Sequence, residues 1–401
     1  MMEIQNATLA SLSVDGRGSY GIGASAVERS EDLYTYLRIT DIRDDGTLNM
    51  TDLKSVDDDK AAQYLLKPND IVFARTGAST GRNYFYDGTD GEFVYAGFLI
   101  KFSIDPNKVN PKYVKYYCLS DAYRGWIHSF NTGSTRGNIN AQTLGGMPVP
   151  IPPRPQQDGI VDILSSIDEK IRKNTEVNEN LTEQARAVFQ AWFIDYEPFG
   201  GVAPSDWHPS TLGQIAEMKT DSWSPANNPN VVVEHYSIPA FDEQHFPVFE
   251  IASGIKSNKY LLNSNSVMIS KLNPGTKRIW RPMCLSAHPV CSTEFIVYEA
   301  KKQDQRDYIY SILDSVPFLN HLCSHTTGST NSRQRATPKS TLDFTLCLPP
   351  DSVIEDFCQI VTPMYDLIAS NIVENQSLAK VRDNLLPRLM YGELDVSCLD
   401  L

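Results

Sequence analysis

The chain of 401 residues contains no run of 18 apolar residues, so no transmembrane helix is expected. Its opening, MMEIQNATLASLSVDG, lacks a basic stretch followed by an apolar core, which argues against a secretion signal. Cysteine is scarce. The seven present are odd in number and not tightly spaced, which suits a reducing cytosol better than a disulfide framework. Catalytic signatures are missing too: there is no H-E-x-x-H, no G-x-S-x-G, no kinase-type set and no methyltransferase-like Asn-Pro-Pro-aromatic motif. These absences favour a binding protein over an enzyme. Positive charge is also short, with a net charge of −13, which at first argues against a nucleic-acid partner.

The distribution of that charge changes the inference. Ten of the thirteen excess negative charges lie in residues 151–200 and 349–401. Residues 1–150 are only slightly acidic and residues 201–348 are neutral. Either large block can therefore present a local basic face.

What the chain has is a repeat, the feature that decides architecture first. LLKPNDIVFARTGASTGR (Leu65–Arg82) aligns without gaps on LLNSNSVMISKLNPGTKR (Leu261–Arg278), an offset of 196. Two Thr-Gly-Ser-Thr loops begin at Thr132 and Thr327, and each leads through a short apolar segment to a Pro pair. Beyond the Pro pairs the offset is 197: Ile163, Ile171, Asn174, Asn178 and Leu181 match Ile360, Ile368, Asn371, Asn375 and Leu378. The chain is two tandem copies of a globular block followed by a tail.

Both tails read as long helices. Ile160, Ile163, Ile167, Ile171, Leu181, Val188 and Trp192 fall at helical steps, as do Phe357, Ile360, Met364, Ile368, Leu378, Val381 and Leu385. The expected spans are about 156–194 and about 352–391. Pro155 suits a first turn and Gly392 a stop, whereas Pro363 and Pro387 are candidates for kinks, and Pro387 for an early end. One heptad seam runs through Ile160, Ile167, Asn174, Leu181 and Val188; the other runs through Phe357, Met364, Asn371, Leu378 and Leu385. Each places a single Asn at its centre, a device that fixes register at some cost in stability.

The globular blocks carry short β-branched or aromatic runs such as DIVFARTG, EFVYAGFLIKFSI, NSVMIS and TEFIVYEA, which read as strands. Asn110–Ile127 and Gln303–Leu322 each read as one helix. The fold class is α+β: two β-rich domains (1–153 and 201–350), a central helix segment (154–200) and a C-terminal one (351–401), the helices packed as an antiparallel coiled coil with pseudo-two-fold symmetry.

Polar loops recur in both copies. Arg75, Ser79, Thr80 and Arg82 follow one strand, and Lys271, Lys277 and Arg278 follow its counterpart. Ser134, Thr135, Arg136 and Asn138 line the other loop, matched by Thr330, Asn331, Arg333 and Arg335. Arg and Asn read base edges, while Ser, Thr and Lys hold phosphates. Arg17, Ser19 and Tyr20 belong to a Gly16–Gly21 string that matches G-x-G-x-x-G. The preceding ATLASLSVD is too polar for a dinucleotide-site strand, so a ligand-contacting loop is the reading taken. Cys284, His288, Cys291, His321, Cys323 and His325 fit no standard zinc spacing, so no metal site is expected.

These motifs resemble the specificity (S) subunit of Type I restriction-modification enzymes. YLRITDIRDDGTL (Tyr36–Leu48) and LKPNDIVFARTGASTGRNYFY (Leu66–Tyr86) are similar to that family's target-recognition domain. GSTRGNINAQTLGGMPVPIPPRPQQDGIVDIL resembles its domain-to-helix transition. NENLTEQARAVFQAWFIDYEP and ENQSLAKVRDNLLPRLMYGEL resemble the ends of its two conserved helical regions. The second copy departs more, with MISKLNPGTKR in place of the commoner strand and loop. The resemblance implies a subunit of a cytoplasmic restriction system that reads a split DNA target with two domains. It implies a helix pair serving as spacer and as docking surface for two modification (M) subunits, with restriction (R) subunits possible. It also implies no cofactor on this chain: S-adenosylmethionine belongs to the modification subunit, ATP and Mg to the restriction subunit. Three other readings stay open at this point: an S-like subunit of a methyltransferase complex without restriction, a duplicated enzyme and a duplicated scaffold that binds no DNA.

A helix pair that spaces two half-sites makes a length prediction. Four residues inserted beside both Asn174 and Asn371 add roughly 6 Å, close to the roughly 7 Å of two base pairs. Methylation-site mapping of the assembled complex should show a preferred spacer longer by one or two base pairs, with the half-sites unchanged. A spacer preference that stays put would remove the ruler role.

Overall fold

The computed structural model describes residues 4–130, 138–327 and 334–397. The chain divides into two compact units, residues 1–171 with 377–401, and residues 172–376. The boundary crosses both long helices, so each unit holds one β-rich copy together with part of each helix. Among the described residues, no helix is long and apolar enough to cross a membrane.

In the first unit a four-stranded sheet is built from β1 (Ser19–Tyr20), β2 (Asp70–Ala74), β3 (Asn83–Tyr86) and β4 (Leu99–Ser103), in the order β1-β4-β2-β3. In the second unit β5 (Ala216–Lys219), β6 (Ser266–Ser270), β7 (Ile279–Trp280) and β8 (Phe295–Ala300) take the same order, β5-β8-β6-β7. All of these pairings are antiparallel. Each copy is also clasped at its ends by an antiparallel pair, Gln5–Thr8 with Pro148–Ile151 and His208–Thr211 with Thr345–Leu348. A second, mixed sheet completes each copy. It has four strands in the first unit and five in the second, and one parallel pairing in each. The 196-residue offset thus carries a shared topology.

Where one helix per copy was expected after the strands, two form. In the first unit α1 (Pro111–Tyr117) stops before Ser120, whose hydroxyl caps α2 (Asp121–Ser129) by accepting from Tyr123 N. In the second, α4 (Arg306–Asp314) stops before Ser315, which caps α5 (Val316–Ser324) in the same way through Phe318 N. A serine that satisfies the free amides of a new helix start competes with continuing the old one.

The long helices, α3 (Arg154–Phe193) and α6 (Asp351–Met390), have 40 residues each. Pro363 and Pro387 lie inside α6, which runs past both. Pro387 sits in the last turn, where its own carbonyl accepts from Tyr391 N. Gly392 then takes a left-handed φ of 71° and ends the helix. Ile360 and Val381 are exposed rather than in the apolar seam; the buried stripe at the start of α6 runs through Ile354, Phe357, Val361 and Tyr365.

Within each unit the two helices run antiparallel. In the first, Gln156 bonds Leu394 O and Val396 N, and Asp168 pairs with Arg382. In the second, Asn174 donates to Asn375 Oδ1 (2.8 Å) and to Glu374 (2.7 Å), while Asn371 donates to Asn178 Oδ1 (2.8 Å). The central asparagines are buried. Two antiparallel seams with an Asn at each centre bring the neighbourhoods of Asn174 and Asn371 together, and each bonds the asparagine one turn further along the opposite helix, which gives a two-rung ladder. Ile160 and Phe357 are also buried, and the other seam residues, Ile167, Leu181, Val188, Met364, Leu378 and Leu385, are half-buried.

In the second unit α6 is also tied to its copy by charge. Asp307 of α4 is 3% exposed and accepts from Arg281 (2.7 Å), Arg306 (3.1 Å) and the Thr362 hydroxyl of α6 (2.7 Å). Burial acts to raise its pKa, but Arg281, Arg306 and Thr362 outweigh burial and hold the carboxyl below its ordinary value. Asp307→Asn should therefore destabilise the protein by roughly 3 kcal/mol at pH 7. Because the folded pKa is depressed, this contribution is present above the unfolded value of about 3.9 and is lost as pH falls through the folded one. Urea unfolding of both proteins from pH 7 down to pH 3 should show the gap closing only below about pH 4.

Candidate nucleic-acid interface

The basic loops are positioned by a backbone corner that both copies build with the same bonds. In the first copy Arg75 N donates to Phe98 O (3.0 Å), and Arg75 O accepts from Ile139 N (2.9 Å). In the second, Lys271 N donates to Glu294 O (3.0 Å), and Lys271 O accepts from Ala336 N (2.8 Å). An isolated bridge follows in each, Thr76 with Asn138 and Leu272 with Arg335. Arg75 thus corresponds to Lys271 and Asn138 to Arg335. The chain is pinned here because β2 and β6 are each followed directly by a basic residue whose amide and carbonyl are both engaged by neighbouring segments.

Around Arg75 the first copy gathers two other residues singled out from the sequence, Tyr20 and Asn138. The guanidinium carbon lies 4.9 Å from the Tyr20 ring centroid, within cation–π range. Arg75 Nη2 approaches Asn138 Oδ1 at 3.5 Å, at the outer limit of a hydrogen bond. The Tyr20 hydroxyl accepts from Ala141 N (3.1 Å), the start of the short helix Ala141–Gly145. Among the described residues Arg75 makes no ion pair, and its Nε is buried without a partner. Its charge is therefore available beside an exposed aromatic ring.

The Gly16–Gly21 string has a packing explanation. A Cβ on Gly18 would lie 2.6 Å from the Phe102 ring, and one on Gly21 would lie 2.2 Å from Tyr95 O. These glycines let the β1 segment lie flat on the sheet and bring Tyr20 to Arg75. Ser19 bonds the Tyr95 hydroxyl (3.0 Å), while Arg17 is exposed.

Other candidate bases spend their charge inside the fold. Arg82 forks onto Asp44 (2.7 Å), Arg278 onto Asp242 (2.6 Å), and Lys277 pairs with Asp314 (2.6 Å), which also binds Arg186 of α3. Arg335 faces Glu294 (3.2 Å) and keeps a half-exposed side chain. Ser79 lies in the tight turn Gly77–Ser79, and the Thr80 hydroxyl donates to Gly77 O. Ser134, Thr135, Arg136, Thr330, Asn331 and Arg333 lie outside the described residues. Among the described residues no His, Cys, Asp and Glu side chains gather as a metal-binding group. Cys284 is half-buried, and burial pushes its thiol up to about 12.

Residues 28–183 match the family model of the Type I restriction modification DNA specificity domain. The chain is 24% identical over 315 residues to the specificity subunit of Type I restriction enzyme MjaIX from Methanocaldococcus jannaschii, covering 73% of this chain and 71% of that relative. It is 22% identical over 412 residues to the HindI specificity subunit from Haemophilus influenzae, covering 83% and 88%. Over residues 28–183 the chain is similar to that specificity domain, and both of these relatives are Type I specificity subunits. The chain's fold is similar to the crystal structure of a Type I S subunit from M. genitalium, with a TM-score of 0.61 at 16% identity over 97% of this chain and 96% of that one.

The structure brings Tyr20, Arg75 and Asn138 together, and separately Lys271 and Arg335. It does not bring Arg82, Lys277 or Arg278 to either set. Sequence reading missed Phe98 and Glu294, whose carbonyls anchor the two corners. Both lie inside apolar runs, EFVYAGFLIKFSI and TEFIVYEA, that read as uninterrupted strands. Only the turns at Ala96–Leu99 and around Glu294 expose them.

The packing role of Gly21 is testable. Gly21→Ala should lower stability by roughly 1–3 kcal/mol because the added methyl meets backbone oxygen. Gly23→Ala, where nothing lies within 4 Å of an added Cβ, should stay within about 0.5 kcal/mol of wild type. Urea unfolding of the two variants checks this, and equal effects would refute it.

Proposed function

We propose that this chain is a Type I S subunit that reads a bipartite duplex target, one half-site per copy, and docks two modification subunits that carry S-adenosylmethionine and methylate adenine. Restriction subunits, where present, add ATP- and Mg-dependent cleavage. The chain itself binds none of these cofactors and performs no chemistry. The observation that carries the reading is the corner built with the same backbone bonds in both copies, each presenting a basic side chain and each with different neighbours. A duplex offers the same backbone geometry at two half-sites, and a tandem repeat meets it twice with one chain. The side chains that differ can then read different bases.

Specific binding of this kind rests largely on phosphate contacts and must weaken steeply with salt. The purified chain should neither methylate nor cut DNA. Its complex with the modification subunit should methylate adenine within a split sequence. Arg75→Ala should relax or weaken one half-site by roughly 1–3 kcal/mol while the other half-site keeps its preference. Methyl transfer by the chain alone, or a complex indifferent to DNA sequence, would overturn the proposal.

A further inference from the structure

The two corners differ in the side chain carried at one shared backbone position. In the first copy Leu99 N donates to Ala96 O (2.8 Å) and closes a turn. That turn holds Phe98 out with 61% of its surface exposed. The Phe98 carbonyl is the one that Arg75 N bonds, so the ring is fixed on the same backbone link as the free guanidinium. In the second copy the matching carbonyl belongs to Glu294. Its carboxylate accepts from Arg335 Nε and Nη2, each at 3.2 Å. Arg335 stands where the first copy has Asn138.

The chemistry of the two arrangements is distinct. The first offers an apolar ring beside a cation. The second offers a guanidinium gripped along one edge by a carboxylate, which leaves its Nη1–Nη2 edge outward. An apolar side chain reads the C5-methyl of thymine, and an outward guanidinium edge reads guanine O6 and N7. A carboxylate that holds the guanidinium reduces the freedom lost on binding.

We propose that Phe98 and Glu294, at the same turn position in the two copies, set base preference: Phe98 contacts a thymine methyl beside Arg75, and Glu294 orients Arg335 toward guanine. The inference rests on the DNA-reading function proposed above and names residues for it.

The test uses the full chain assembled with its modification subunit. Methylated sites are mapped for the wild type and for Phe98→Ala, Glu294→Gln and Arg75→Ala. Phe98 is largely exposed and Glu294→Gln keeps the side-chain shape, so both variants should fold. Phe98→Ala should relax one T·A position in one half-site, and Glu294→Gln one G·C position in the other, with discrimination falling roughly five- to hundredfold at each. Replacing the thymine with deoxyuridine should cost the wild-type complex a similar factor and the Phe98→Ala complex nothing further. Unchanged targets in both variants, beside an Arg75→Ala complex that has lost its half-site preference, would overturn this proposal and leave the broader function standing. A wild-type complex with no split-sequence preference would overturn both.

Discussion

Each β-rich copy has an apolar face that its own strands leave uncovered, and the long helices close it. In the first unit Ile160, Val161 and Leu164 of α3 and Leu386, Leu389 and Met390 of α6 join one buried cluster with Ile71, Phe102, Tyr113 and Val149. In the second, Ala185, Phe189 and Phe193 join Phe357, Val361 and Tyr365 against Ile269, Ile296, Tyr308 and Ile312. Burying these side chains is worth about 25 cal/mol per Å² of apolar surface removed from water, so neither copy is a self-sufficient core with an optional tail. The helix ends belong to the domains. This is why the chain divides across the helices, although the sequence pattern divides it at their starts.

Charge follows from that arrangement. A helix with one face in a core and a seam on another has only its remaining surface for solvent or partners. That surface carries Glu176, Glu179 and Glu183 on α3, with Glu355 and Asp356 on α6, all exposed. Acidic helix faces repel phosphate, which on the proposed function leaves DNA to the corners and gives the helices to protein partners. The net charge of −13 is then the sum of two acidic helical segments and two β-rich blocks that are close to neutral.

The helices and the repeat were legible because their signals are long. Heptad spacing sustained over 40 residues averages away local blemishes such as Pro363 and Pro387. The strand offset of 196 recurs over 18 ungapped residues. What was not legible depends on short-range competition or on partners distant in sequence. Ser120 and Ser315 each break an expected helix with one side-chain cap. The asparagine ladder follows from the stagger of two helices, which a heptad string does not encode. At the candidate site, residue type suggested Arg75, Arg82 and Lys277 alike. Only the positions of Asp44 and Asp314 separate a free cation from spent ones.

The repeat divides labour between backbone and side chain. The corner is held by amide and carbonyl bonds that any residue except proline can make, so Arg75 and Lys271, or Phe98 and Glu294, can occupy equivalent places without disturbing the sheet. The residues that cannot vary freely are those with no room, such as Gly21 against Tyr95 O. A frame closed by backbone bonds tolerates divergence at its exposed positions and nowhere else. Two copies of one frame can therefore come to present different chemistry, an apolar ring in one and an acid-gripped guanidinium in the other, while folding by the same rules.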